Sequence, residues 1–220
     1  KSAGNVVDPI VLADQFGVDP LRYFFMREIA FGQDGSYSAE AIVTRANAEL
    51  ANSFGNLAQR TLSMIFKNMD GTLAVHSAPD AADTALEGTV LEACRDQLPR
   101  EFEALNFSAG LEAWMKAVFA CNQYVDEQAP WTLRKTDPER MKAVLMTLFR
   151  QVHALAIAVR PVVPSSIDRL LDQMGIPDAE RDYSALDDHR WFERLVASGH
   201  VLSQPQGVFP RLEMPQDEPA

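Results

Sequence analysis

Val144, Leu145, Leu148, Val152, Leu155 and Val159 recur at steps of three and four residues. That is the period of one helix face, and it excludes the two-residue alternation of a half-buried strand. Leu111, Met115, Val118 and Phe119 repeat the pattern upstream. Asp8-Pro9, Asp19-Pro20 and Asp137-Pro138 each place a capping acid before a proline at the first helical position. Gly17 and Gly175 stand where helices would stop. The spacing predicts helices over about 9–16, 20–29, 39–68 (capped by Ser38), 81–104 (kinked or split at Pro99) and 107–128 (capped by Asn106). It predicts two more, over about 138–160 and from Ser165 or Ser166 to Met174. Residues 31–36 and 72–80 read as loops.

Long helices joined by short connections pack as an antiparallel bundle. The expected fold is therefore all-α: a short helical connector over 1–37, a helix bundle over 38–175 and a partly irregular tail over 176–220. The 220 residues are 47% hydrophobic and 23% charged, which excludes extended disorder. The longest apolar stretch, Val152 to Val163, is broken by His153, Arg160 and Pro161, so no membrane span and no membrane partner are expected. Cys94 and Cys121 cannot make a disulfide framework or a four-ligand metal site; no metal is expected, and a reducing, cytoplasmic setting is. The chain opens without a Met, inside a polar Gly-containing segment, and reads as a piece of something longer.

A search for catalytic groups returns little. No phosphate-cradling glycine loop, His-Glu-x-x-His pair or nucleophile elbow is present, and His153 reads as a core histidine. Three local features carry more. Lys1, followed by Ser2 and Gly4, is a mobile point charge suited to a polyphosphate, although the same residues also make an ordinary loop. Asn52, Asn56 and Arg60, four residues apart, project from one helix face and supply the amides and guanidinium fork that read a base edge. They could equally hydrogen-bond into neighbouring helices. Trp131, directly after Pro130 at a helix break, is either a rigid stacking platform for a base or a plug for the end of the bundle.

These features occur together and in order in one family. Lys1-Ser2 resembles the end of the Lys-Met-Ser-Lys-Ser signature of class I aminoacyl-tRNA synthetases. Asp19-Pro20-Leu21-Arg22-Tyr23-Phe24 and the run from Arg27-Glu28 through Phe31-Gly32-Gln33-Asp34-Gly35-Ser36 resemble the methionyl-tRNA synthetases. So do Asn52-x-x-x-Asn56-Leu57-Ala58-x-Arg60, Tyr124-Val125-Asp126-Glu127-Gln128-Ala129-Pro130-Trp131 and Phe209-Pro210-Arg211. The valyl, isoleucyl and leucyl enzymes share the opening without the Arg-Glu run.

The resemblance implies a C-terminal, anticodon-binding portion of a methionine-tRNA ligase. Lys1 would stabilise ATP phosphates with Ser2 beside it, while Asn52, Asn56, Arg60, Pro130 and Trp131 would read a CAU anticodon. ATP and Mg would belong to the full-length enzyme, with no cofactor in this portion. Its partners would be the tRNA(Met) anticodon stem-loop and an upstream catalytic domain, without which the chain is expected to be inactive. The tail, with Trp191 and Phe209-Pro210-Arg211, is expected to fold toward that domain. A helical protein-interaction module is the reading from a different class.

The net charge of −11 argues against a nucleic-acid partner until it is divided by region. Acidic residues concentrate in 70–112 and in the tail. The stretch 44–69 carries Arg45, Arg60 and Lys67 against Glu49, and Arg134 and Lys135 follow Trp131 without an intervening acid. The predicted reading face is locally cationic.

Overall fold

The computed structural model describes residues 8–28, 32, 37–75 and 79–214. Lys1, Ser2, most of the predicted 31–36 loop and the last residue of the predicted 20–29 helix lie outside them. Among the described residues the fold is an all-α bundle, as the hydrophobic period requires. The connector contributes α1 (Pro9–Phe16) and α2 (Val18–Glu28). Next comes α3, over 39–68, which is an ordinary helix at Ala39–Arg45 and Asn56–Asn68 but winds more widely at Ala46–Gly55. The second long helix, α4, covers 81–103 with another wide turn at Glu92–Gln97. Then follow α5 (Phe107–Gln128), α6 (Pro130–Thr136), α7 (Pro138–Val159), α8 (Pro164–Met174) and, in the tail, α9 (Trp191–Ala197).

Helix α7 is the axis of the bundle. It is long and apolar enough to pass a test for a membrane span, but 83% of that window is buried by its neighbours, which marks it as a core helix. Trp114 fills the centre: its indole N–H donates to the Leu155 carbonyl at 3.0 Å, and its ring meets Phe54 edge-on at 5.1 Å and Tyr23 at 6.2 Å.

Several sequence expectations change in the packed molecule. Asp19 does not cap its own helix, which already begins at Val18. Its carboxylate accepts instead from the backbone N–H groups of Ser165 (3.4 Å) and Ser166 (2.6 Å), so it caps α8 from across the molecule. Neither Ser165 nor Ser166 opens that helix; Pro164 occupies its first position. Asn106 makes no side-chain cap on α5, its amide being turned to Glu101. The connector is tied down further by Arg22, which donates to the carbonyls of Val162 (2.9 Å) and Pro161 (2.7 Å). Buried Tyr23 donates to Glu49 at 2.5 Å, and Arg27 and Arg45 flank the same carboxylate. Burial, reinforced by Glu49, pushes the Tyr23 phenol up and keeps it a donor.

Helical residues continue through Pro99, with the winding changing from wide to ordinary at Leu98, one residue before it. The wide turn before it takes up the ring, and Leu98 N–H donates five residues back to Ala93. The Cys94 carbonyl, whose partner one position on would be the donorless Pro99, accepts instead from the hydroxyl of Tyr183 in the tail. Tyr183→Phe should therefore leave a buried acceptor bare and cost about 1–3 kcal/mol in urea denaturation; an unchanged midpoint would refute this.

The tail is more ordered than its sequence suggests, with helical turns at Asp178–Glu180 and Tyr183–Asp187 before α9. Trp191 stacks on His153 with ring centroids 3.7 Å apart, and Phe209 packs on Phe54 at 6.0 Å. Phe209 is thus buried against this bundle, and Trp191 is partly covered by it. Gly71, at φ +71, lets the returning chain close to within 2.4 Å of where a Cβ would stand.

Candidate nucleic-acid interface

The helix break that carries Trp131 is built from the residues before it. Ala129 adopts the left-handed conformation (φ 44°, ψ 58°), rare for a residue with a Cβ and strained by about 1–2 kcal/mol. It turns the chain sharply from α5 into α6, a short helix not anticipated from the sequence, whose start is held by Thr132 and Leu133 N–H groups on the Ala129 carbonyl.

A polar cluster fastens this turn to the bundle. Arg140 donates to both oxygens of Asp83 (2.6 and 2.9 Å) and to the Gln128 side-chain oxygen at 2.8 Å. Tyr124 donates to the same carboxylate. Asp83 is 1% exposed and also completes a capping box with Asp80 at the start of α4. Burial acts to raise its pKa, but the hydrogen bonds from Arg140 and Tyr124 outweigh it and hold the carboxyl below the ordinary range. Burial and the neighbouring carboxylate push Tyr124 upward, so it remains a donor. Sequence inspection missed Asp83 and Arg140. Tyr124 and Gln128 were visible only as part of a motif, because their partners are remote.

The turn presents Trp131 with 49% of its surface exposed, while Pro130 beneath it is buried. The core-plug alternative for Trp131 is thereby removed. From α3, the Arg60 guanidinium lies 5.7 Å from the indole centroid and 3.7 Å from Asp126. Arg134 reaches back to Asn68 at 3.2 Å, joining α6 to α3 on this side. Lys67, Arg134 and Lys135 are exposed near these elements.

Asn52 and Asn56 are both exposed on α3, and both line a groove of about 470 Å³ whose opposite wall is the tail at Gly207, Val208, Phe209 and Arg211. Asn56 makes no side-chain hydrogen bond among the described residues, whereas the Asn52 oxygen accepts two from Arg211. The structure therefore brings Arg60 and Trp131 into contact and places Asn52 and Asn56 along one groove. Lys1 and Ser2 fall outside the described residues.

A helical bundle that displays a half-exposed indole beside a guanidinium and two exposed asparagines has the architecture of a class I synthetase anticodon domain. Residues 1–62 match the family model described as tRNA synthetases class I (M), and residues 75–219 match the anticodon binding domain of methionyl tRNA ligase. The chain belongs to the methionyl-tRNA ligase family. It is 42% identical to the methionine–tRNA ligase of Mycobacterium leprae, over 100% of this chain and 40% of that protein. To the Mesorhizobium japonicum enzyme it is 43% identical, over 96% and 40%. The chain thus spans about two fifths of the length of the curated relatives it matches. The Mycobacterium tuberculosis methionyl-tRNA synthetase in its apo form superposes with a TM-score of 0.85 at 39% identity, covering 96% of this chain and 42% of that one. The same enzyme in complex with methionyl-adenylate gives 0.84 at 40% identity, over 96% and 41%.

Proposed function

We propose that the face formed by Asn52, Asn56, Arg60, Pro130 and Trp131 binds the unpaired CAU anticodon of tRNA(Met), within a cytoplasmic protein that attaches methionine to that tRNA using ATP and Mg. The observation that carries this reading is the pairing of Arg60 with a half-exposed Trp131. A base stacks on the free indole surface, Arg60 adds charge beside the stack, and the asparagine amides meet base edges. Pro130 holds the platform still, so little ordering cost remains when a base arrives.

The connector extends this role. Asp19, Arg22, Tyr23 and Arg27 lock α2 to the bundle, and Leu12 and Phe16 pack α1 against Leu21 and Phe24 of α2, so a tRNA held at the anticodon is held relative to whatever α1 adjoins. In the parent protein that would place the acceptor end at an upstream catalytic domain, a positioning effect. Lys1 and Ser2 would be this chain's contribution to the ATP phosphates; the rest of that chemistry belongs upstream.

Filter binding to a CAU stem-loop and to a scrambled loop tests the reading. Trp131→Ala should weaken CAU binding by roughly 1–3 kcal/mol and leave the melting transition in place. Equal binding of the two RNAs by the unaltered chain would favour a protein-interaction module instead.

A further inference from the structure

We propose that Arg211 is a positioning residue for base recognition: it fixes the Asn52 amide so that Asn52 presents only hydrogen-bond donors to the groove. Arg211 donates from Nε (3.1 Å) and Nη2 (2.8 Å) to the single oxygen Oδ1 of Asn52. A guanidinium has five donors and no acceptor, so only the amide oxygen can face it. The orientation of this amide follows from its partner, and Nδ2 is left without a partner among the described residues.

Asn52 does not hold the tail in place; the tail arrives on its own contacts. Asn47 clamps Leu212 in both directions, donating to its carbonyl (2.9 Å) and accepting from its N–H (2.8 Å). Arg169 donates to the Val208 carbonyl at 2.9 Å, and Gln59 to that of Pro205 at 3.0 Å. Phe209 lies over Gly55, where a Cβ would come within 3.3 Å of its ring. The segment 205–212 is thus a built wall of the groove, and Arg211 reaches from it to Asn52, one of the two reading-face amides opposite.

The chemical consequence is selective. A free asparagine flips to suit either a donor or an acceptor, as Asn56 can. Held by Arg211, Asn52 accepts nothing further and favours a base edge that offers a carbonyl oxygen or ring nitrogen. An exocyclic amine at that place would face donors only and be refused. Asn52 thereby becomes a discriminator, and Arg211 acts through it. This inference rests on the anticodon reading of the groove.

The test is filter binding of the 220-residue chain to the CAU stem-loop and to a scrambled loop, at two salt concentrations, for Arg211→Ala, Asn52→Ala, the double variant and Asn52→Asp. Arg211→Ala should lower the preference for CAU over the scrambled loop by about fivefold while leaving scrambled-loop binding and the salt slope unchanged. The double variant should be no worse than Asn52→Ala, the non-additivity of two residues acting as one. Asn52→Asp keeps the Arg211 contact and the melting temperature but presents acceptors only, and should lose the preference; this variant decides the matter if Arg211→Ala loosens the tail. Equal weakening on both RNAs with a shallower salt slope would make Arg211 a phosphate contact and overturn the proposal, as would additive losses. Absence of any CAU preference in the unaltered chain is a distinct result, visible before any variant is compared, and refutes the anticodon reading itself.

Discussion

Asp83→Ala is expected to destabilise the chain by about 3–5 kcal/mol, a large share of the stability of a single domain. The carboxylate is buried, and both of its oxygens are occupied by Arg140 and Tyr124. Truncation would leave a guanidinium whose other acidic partner is the half-exposed Asp80, a phenol without an acceptor, and a helix start without its capping box. Removing one member of a buried ion pair costs more than the pair contributes net, because the survivor stays desolvated and uncompensated.

The effect should reach the RNA as well. Arg140 also holds Gln128, the residue before Ala129, and the strained left-handed geometry there persists only while its surroundings impose it. With Asp83 gone, Trp131 should lose its fixed attitude, and CAU binding should fall even where the variant remains folded. Urea denaturation at neutral pH, followed by filter binding well below the new transition, checks both parts. A loss under about 1 kcal/mol would show that Asp80 replaces Asp83 at little cost.

How much of this could be seen in advance depended on whether a signal was local. Asp8-Pro9 and Asp137-Pro138 read correctly because each cap closes within a few residues, Asp8 on Ile10 and Asp137 on Arg140. Asp19-Pro20 looks identical in sequence but does not cap its own helix, because its carboxylate is used by a helix start far along the chain. The stripe Asn52, Asn56 and Arg60 was legible as a stripe. Its meeting with Trp131 was not, since that depends on the backbone of Ala129, and thus on Asp83 and Arg140, which no spacing rule connects. The tail was least legible: Trp191, Tyr183 and Phe209 carry no period, and each is placed by remote partners on the bundle, among them His153, the Cys94 carbonyl and Phe54. Tertiary capping and tertiary stacking leave no pattern in the segment that supplies them.

The second large effect is a loss of stability in acid that originates at His153. The imidazole is buried on α7 beneath Trp191, and burial pushes its pKa down to about 3 against a weaker upward pull from Asp188. An unfolded histidine titrates near 6.5, so from there down to the folded value the unfolded chain binds a proton that the folded chain refuses. The unfolded state binds more protons in that window, and stability must fall as pH falls through it. The contribution is fully present above about pH 6.5, is diminished by about 3 kcal/mol at pH 4 and approaches its limit of about 4–5 kcal/mol near pH 3. Carboxylates such as Asp83, whose folded pKa is also depressed, begin to add to the loss only below about pH 4, so the interval from 6 to 4.5 isolates the histidine. The titratable and charged groups Glu87, Arg150, Asp188, His189 and Glu193 line the cavity beside this ring, while the ring itself is 2% exposed. His153→Phe keeps a ring under Trp191 and removes the proton site. Urea denaturation at pH 6 and at pH 4.5 should show the unaltered chain losing about 2 kcal/mol between them and the Phe variant losing little of it. If the two proteins lose stability in parallel, the imidazole accepts its proton in the folded state, and the stacked, buried ring is not what makes the fold acid-sensitive.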